Sequence, residues 1–208
     1  MQVPQTIESL ITEKKIPPTV CVFINPGIVQ EPTKPDDHPD TQRSVEYDSV
    51  NDQYTRFLVN ELLPDALEGL NISQDPKRRA MVGFSSGGIC AWSVAWFRPD
   101  LFGNVLSHCG SFVDIRGGGK FPFLVRNESA KEIRMFFQSG SNDLDTKYGN
   151  WALGNKQMES ALKFKNYDYR FEFGTEGHNL LHGAELLESS ILWLFGDNAT
   201  TDEYDSGQ

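Results

Sequence analysis

One stretch constrains this chain more than any other: Met81-Val82-Gly83-Phe84-Ser85-Ser86-Gly87-Gly88-Ile89-Cys90. An apolar approach from Ala80 to Val82 runs into the pentapeptide Gly83-Phe84-Ser85-Ser86-Gly87, and a helix-like run from Ile89 to Trp96 follows. Strand, sharp turn and helix is the setting in which G-x-S-x-G lifts a serine hydroxyl clear of the backbone on a strained bend. Glycines on either side are expected to keep Cβ atoms out of that bend, and Gly88 to let the helix approach the strand closely. The bare Gly, Ser, Gly triplet arises by chance in about 7% of chains this long. The rest of the chain therefore has to supply the partners.

Those partners depend on how strands and helices alternate. Thr6 to Lys15 carries Ile7, Leu10 and Ile11 at the spacing of a short amphipathic helix, closed by Pro17-Pro18. Thr19 to Ile24, continuous and rich in branched residues, reads as a central parallel strand broken by Asn25-Pro26-Gly27. Gln30 to Asp40, with prolines at 32, 35 and 39, is a surface loop, and Tyr54 to Leu63 a helix that Pro64 stops or kinks. Further strands are expected at Arg78 to Val82, Asn104 to His108, Ile133 to Gln138 and Tyr167 to Phe173. Helices are expected at Ser86 to Phe97, Trp151 to Phe164 and Ala184 to Phe195, and a mobile glycine-rich loop at Gly110 to Lys120. The pattern predicts an α/β fold, mainly a parallel sheet with helices on both faces, as a single domain over 1–196 with a frayed acidic tail over 197–208. In such sheets active groups gather beyond the carboxyl ends of the strands, here at Asn25-Pro26-Gly27, Ser85, Asp143 and His178.

Composition narrows the partners. With 208 residues, 38% hydrophobic and 12% aromatic, the chain can bury a proper core. A formal net charge of −10 argues against nucleic acid or an acidic membrane surface as partner. No apolar run is long enough to span a membrane. Met1 to Lys15 lacks the apolar core of a signal peptide, so a cytoplasmic location is the default expectation, with secretion left open if the chain starts short. Cys21, Cys90 and Cys109 form no metal-binding spacing and are expected to be reduced thiols. The three Asn-X-Ser/Thr sequons are read as chance occurrences. The sequence is silent on oligomeric state.

A serine hydroxyl needs a base within hydrogen-bond reach, and the base needs an acid to fix its tautomer. Of four histidines, His108 sits inside a strand and His38 in the proline-rich loop. His178 follows a strand through Gly174-Thr175-Glu176-Gly177, the place for a base. His178 and His182 are spaced i, i+4, but Asn179 stands where a zinc motif needs glutamate, so neither metal nor cofactor is expected. Asp143, just past the fourth strand, is the expected acid, with Asp145 competing. Ser85, Asp143, His178 is the chain order of α/β-hydrolase triads. An oxyanion formed in acyl transfer needs two backbone N–H donors, expected from Ser86 and from Ile28.

Phe23-Ile24-Asn25-Pro26-Gly27, Arg43-Ser44-Val45-Glu46-Tyr47-Asp48, Gly83 to Ala91, and Leu106-Ser107-His108-Cys109-Gly110-Ser111-Phe112 resemble the enterochelin-esterase-like branch of an esterase family. So do Gly140 to Asp145, Gly149-Asn150-Trp151 and Glu176 to Gly183, which brings nearly the whole chain into the likeness. The resemblance implies an α/β-hydrolase fold and a metal-free serine esterase, with Ser85 as nucleophile, His178 as base and Asp143 as acid. It points to Arg43, Glu46 and Trp151 as substrate contacts, and to a small-molecule or carbohydrate-linked ester as substrate. Members of that branch begin with antiparallel strands. Here a short helix alone precedes Thr19, so a trimmed sheet edge or a shortened chain is expected. The reading is a carboxylic-ester hydrolase working through an acyl-enzyme. An acyltransferase on the same triad and an inactive hydrolase-fold binding protein are the alternatives.

Overall fold

The computed structural model describes residues 2–30 and 40–196; most of the proline-rich loop, with His38, and the acidic tail lie outside them. Helix α1 spans Val3–Thr12. It begins earlier than the apolar spacing indicates because Pro4 sits in the first turn, where a missing N–H costs nothing. It also ends earlier, because Lys14 turns to a φ of 58°. The strand expected at Thr19 to Ile24 does not form. That segment carries no strand pairing, and Val20, Val22 and Phe23 stay exposed. Branched apolar composition makes a strand only where a neighbour offers its backbone. A short antiparallel ribbon follows instead, β1 (Ile28–Gln30) against β2 (Asp40–Thr41).

The Arg43 segment is helix α2 (Arg43–Asp48). Next come α3 (Gln53–Phe57), a π-helical turn over Leu58–Leu62, and α4 (Leu63–Ala66). Pro64 therefore does not stop this helix. A proline ring collides with the carbonyl four residues back in a regular α-helix, and a wider turn just before it relieves the crowding.

The remaining elements are β3 (Ala80–Phe84), α5 (Ser86–Phe97), β4 (Asn104–His108), α6 (Phe121–Asn127) and β5 (Arg134–Asn142). They continue with the ribbon β6 (Asp145–Thr146) and β7 (Gly149–Asn150), then α7 (Trp151–Phe164) and β8 (Tyr169–Gly177). The last expected helix is split at Leu186 into α8 (Leu181–Glu185) and α9 (Leu187–Phe195). The loop expected to be mobile at Gly110 to Lys120 is instead packed at both ends. Ser111, Phe112 and Val113 are buried, and a Cβ on Gly118 would stand 2.4 Å from Ile89 Cδ1.

Strands β3, β4, β5 and β8 form one parallel sheet in that order. Because side chains alternate along a strand, each core strand feeds both faces. Val105, Met135 and Phe137 pack with Trp92 and Trp96 of α5, Phe121 of α6 and Met158 of α7. Leu106 and Phe136 pack on the opposite face with Leu10 of α1 and Leu187 and Ile191 of α9. Helices thus cover both faces of a parallel sheet, which is the expected α/β architecture. Helix α5 is buried from Gly88 to Trp96, since α2 and α3 cover the side turned away from the sheet. Strands β3, β5 and β8 each run past their expected ends because their parallel partners keep pairing there, as far as Asn142 opposite Gly177. Gly140 makes the last step passable, since a Cβ there would lie 2.0 Å from the Glu176 carbonyl oxygen. No helix among the described residues is long and apolar enough to cross a membrane.

Candidate active site

Ser85 stands between β3 and α5 with φ 59° and ψ −120°, a region that side-chain-bearing residues seldom occupy. Its surroundings hold it there. Its N–H donates to the His108 carbonyl at 2.9 Å, and its own carbonyl accepts from the N–H groups of Gly88, Ile89 and Ser111. Gly83 is required, because a Cβ on it would lie 2.0 Å from the Gly87 oxygen. Gly87 differs from expectation. Nothing lies within 4 Å of the Cβ it lacks, so its bareness leaves open space and relieves no clash. Gly88 does allow the close approach, with its absent Cβ 2.6 Å from Ser107 Oγ.

Three loops beyond the sheet's carboxyl edge converge on this serine. His178, just past β8, places Nε2 2.8 Å from Ser85 Oγ and Nδ1 2.5 Å from Asp143 Oδ1. Asp143, just past β5, also accepts from the Leu144 N–H and the Ser139 hydroxyl, each at 2.8 Å. Burial works to raise the Asp143 pKa, but the bonds from His178, Leu144 and Ser139 outweigh it and hold the carboxyl below its ordinary value. Asp145 lies exposed on β6, whereas Asp143 is the carboxylate bonded to the imidazole. The rings of Phe84 and Trp151 flank His178, with centroids 4.8 Å and 5.8 Å away.

The remaining candidates surround this core. Ser86 opens α5, and its own helix offers no acceptor for its N–H. Its hydroxyl accepts from Arg43 Nη1 at 2.8 Å, and Arg116 donates to the neighbouring Ser44. Asp48 is buried beside them; burial raises its pKa, opposed by the Ser86 hydroxyl and the charge of Arg43. Ile28 begins β1, one residue after an amide that Glu46 holds: both Glu46 carboxylate oxygens accept from Gly27 N–H, at 3.3 and 3.2 Å. The Gly27 carbonyl accepts from Gln42 N–H at 2.8 Å, so α2 fixes this turn from both sides. Trp151 is buried, its indole N–H directed at Ser111 Oγ, 3.1 Å away. Sequence reasoning missed Ser111, whose Oγ lies 3.4 Å from that of Ser85. Its place three residues after β4 was the available signal.

Cys109 lies beneath the pair, and one ligand atom each from Cys109, Asp143 and His178 fall within 4.8 Å of one another. Burial, then the Asp143 charge, push the thiol up to about 12. With no metal beside it, the thiol is therefore protonated at neutral pH. The rings of His108 and His182 take no part in the bonds that join Ser85, His178 and Asp143, although the His108 backbone holds the Ser85 N–H; burial lowers the His108 pKa to about 4. A groove of about 620 Å³ runs along α2 and α3, bounded by Gln42, Glu46, Tyr54 and Phe57.

The family model described as "Putative esterase" matches residues 1–180. The chain is similar to the uncharacterized protein YbbA of Bacillus subtilis (strain 168), 22% identical over 206 residues, covering 95% of this chain and 81% of that protein. It is also similar to the iron(III) enterobactin esterase of Dickeya dadantii (strain 3937), 26% identical over 163 residues, covering 67% of this chain and 34% of that protein. Among solved structures, the enterobactin esterase FES of Shigella flexneri aligns with a TM-score of 0.70 and 24% identity over 89% of this chain. The chain spans 46% of that protein's length. A ferulic acid esterase aligns with a TM-score of 0.67 and 14% identity, over 93% of this chain and 76% of that one. These structures share the α/β-hydrolase fold, and by the match over residues 1–180 the chain belongs to this esterase family.

Proposed function

We propose that the protein is a serine carboxylic-ester hydrolase that works through an acyl-enzyme on Ser85. The observation that carries the reading is His178, hydrogen-bonded to Ser85 Oγ at 2.8 Å on one side and to Asp143 at 2.5 Å on the other. An ionised Asp143 accepts a hydrogen bond from Nδ1–H and keeps the proton on that nitrogen, so Nε2 is left bare to accept the serine proton. As Ser85 Oγ bonds to the ester carbonyl carbon, that proton passes to Nε2. The carbonyl oxygen, now negative, sits against the N–H groups of Ser86 and Ile28. Collapse breaks the carbon–alkoxide bond, and His178 returns the proton to the departing alcohol. Water then attacks the acyl-enzyme, His178 takes its proton, and the acid leaves as Ser85 regains its hydrogen. No metal ion is required for these transfers.

The substrate class is a small-molecule ester. Relatives named as enterobactin esterases and a ferulic acid esterase recommend aryl esters as the first panel, and Arg43, exposed next to Ser86, supports an acyl or alcohol part that carries oxygen acceptors. The test is hydrolysis of feruloyl, 2,3-dihydroxybenzoyl and acetyl esters by purified protein. Ser85→Ala should abolish turnover while unfolding as cooperatively as wild type. Turnover unchanged in Ser85→Ala would overturn the reading, and release of acyl products on added alcohols in place of water would recast it as an acyltransferase.

A further inference from the structure

We infer that the Ser111 hydroxyl is a hydrogen-bond donor to the nucleophile's oxygen, its direction set by the indole of Trp151; this rests on Ser85 being the nucleophile. The direction follows from counting protons. Trp151 Nε1 can only donate, so at 3.1 Å it makes Ser111 Oγ an acceptor. Ser111 keeps its own O–H for another partner, and Ser85 Oγ lies 3.4 Å away. Ser85 commits its single proton to His178 Nε2, because Nδ1–H is directed at Asp143. Ser85 Oγ can then only accept from Ser111. The protons run one way, from Trp151 to Ser111 to Ser85 to His178.

Two further observations fit this role. The Ser111 N–H donates to the Ser85 carbonyl at 3.1 Å, so backbone and side chain of Ser111 both engage the same strained residue. Ser111 and Trp151 are also nearly sealed from solvent, at 1% and 3% exposure, so water does not compete for either group. A separation of 3.4 Å is long for two hydroxyls, as expected at rest, and shortens as charge grows on the acceptor.

Charge grows on Ser85 Oγ twice. It gathers there as the proton leaves for His178 during acylation, and again when Oγ is expelled from the second tetrahedral intermediate during deacylation. A donor at that oxygen assists both steps without touching the substrate. Its loss should lower kcat and kcat/KM together and leave KM nearly unchanged.

The experiment compares Ser111→Ala, Trp151→Phe and the double variant in aryl-ester hydrolysis and in the rate of labelling by a fluorophosphonate. Ser111→Ala should slow both by about 10- to 100-fold, the range of a hydrogen bond to a charged group. The midpoint of the pH–rate profile should not move, because the His178–Asp143 pair is untouched. Trp151→Phe removes the N–H together with part of the buried indole, so it should slow the wild type several-fold more than it slows the Ser111→Ala background, the excess being the coupling through Ser111. Ser111→Cys, close in size but a weak donor, should behave as Ser111→Ala and serves if the alanine variant does not fold. The inference is overturned if the Ser111 variants label at the wild-type rate, or if Trp151→Phe costs the same in both backgrounds. Should wild type itself fail to label on Ser85, the reading of the nucleophile falls instead.

Discussion

Lowering the pH from 7 to 4 should destabilise the protein through His108, a residue outside the proposed chemistry. His108 is 1% exposed on β4, and neither ring nitrogen meets a full hydrogen-bond partner. Burial lowers its pKa from 6.5 to about 4; a contact with Gln138 opposes the shift and the neighbouring His182 adds to it. The unfolded chain therefore takes up a proton as pH falls below 6.5, while the folded protein takes none until about 4. Stability is thus full above the unfolded value and drains away across that window, levelling off below it. At 1.36 kcal/mol per unit, the gap amounts to about 3 kcal/mol, a large share of the stability of an ordinary domain. Urea unfolding at steps from pH 7.5 to 4, wild type beside His108→Gln, isolates this group, since the carboxylates titrate alike in both. The wild type should lose about 3 kcal/mol more than the variant across the window. Parallel curves would refute the claim that a neutral, buried His108 governs acid stability.

Asp143→Asn should cut ester turnover by about 10²- to 10⁴-fold, since the imidazole loses the partner that fixes its tautomer, whereas Asp145→Asn should leave turnover unchanged; steady-state kinetics on one ester decide. Gly83→Ala should abolish turnover and lower the unfolding midpoint, because its Cβ would lie 2.0 Å from the Gly87 carbonyl oxygen and force the elbow apart.

Much of this was legible in the sequence where local signals and packing agree. Helix α5 begins at Ser86 and ends at Phe97 as expected, because a continuous apolar run meets Arg98-Pro99, and the apolar spacing of α7 likewise gave its bounds. Asp143 and His178 could be named because each follows a strand whose presence and order could be read, even where its end could not. What failed was non-local. Thr19 to Ile24 has the composition of a strand but makes no ladder, and composition does not report the partner. The strand ends were read short because they depend on what a parallel neighbour still pairs with. Ser111 escaped notice because its role exists only once Trp151 and Ser85 are brought together from distant parts of the chain. The bond by which Glu46 holds the Gly27 amide was likewise invisible, because the α2 helix creates it.

The central claim is an activated serine at position 85, and covalent labelling tests it most directly. Folded protein would be treated with diisopropyl fluorophosphate, then weighed intact and mapped by peptide mass spectrometry. The account predicts one phosphoryl group on Ser85, fluoride lost, and no comparable labelling in Ser85→Ala or His178→Ala. An unlabelled but cooperatively folded wild type, or equal labelling in Ser85→Ala, would contradict it.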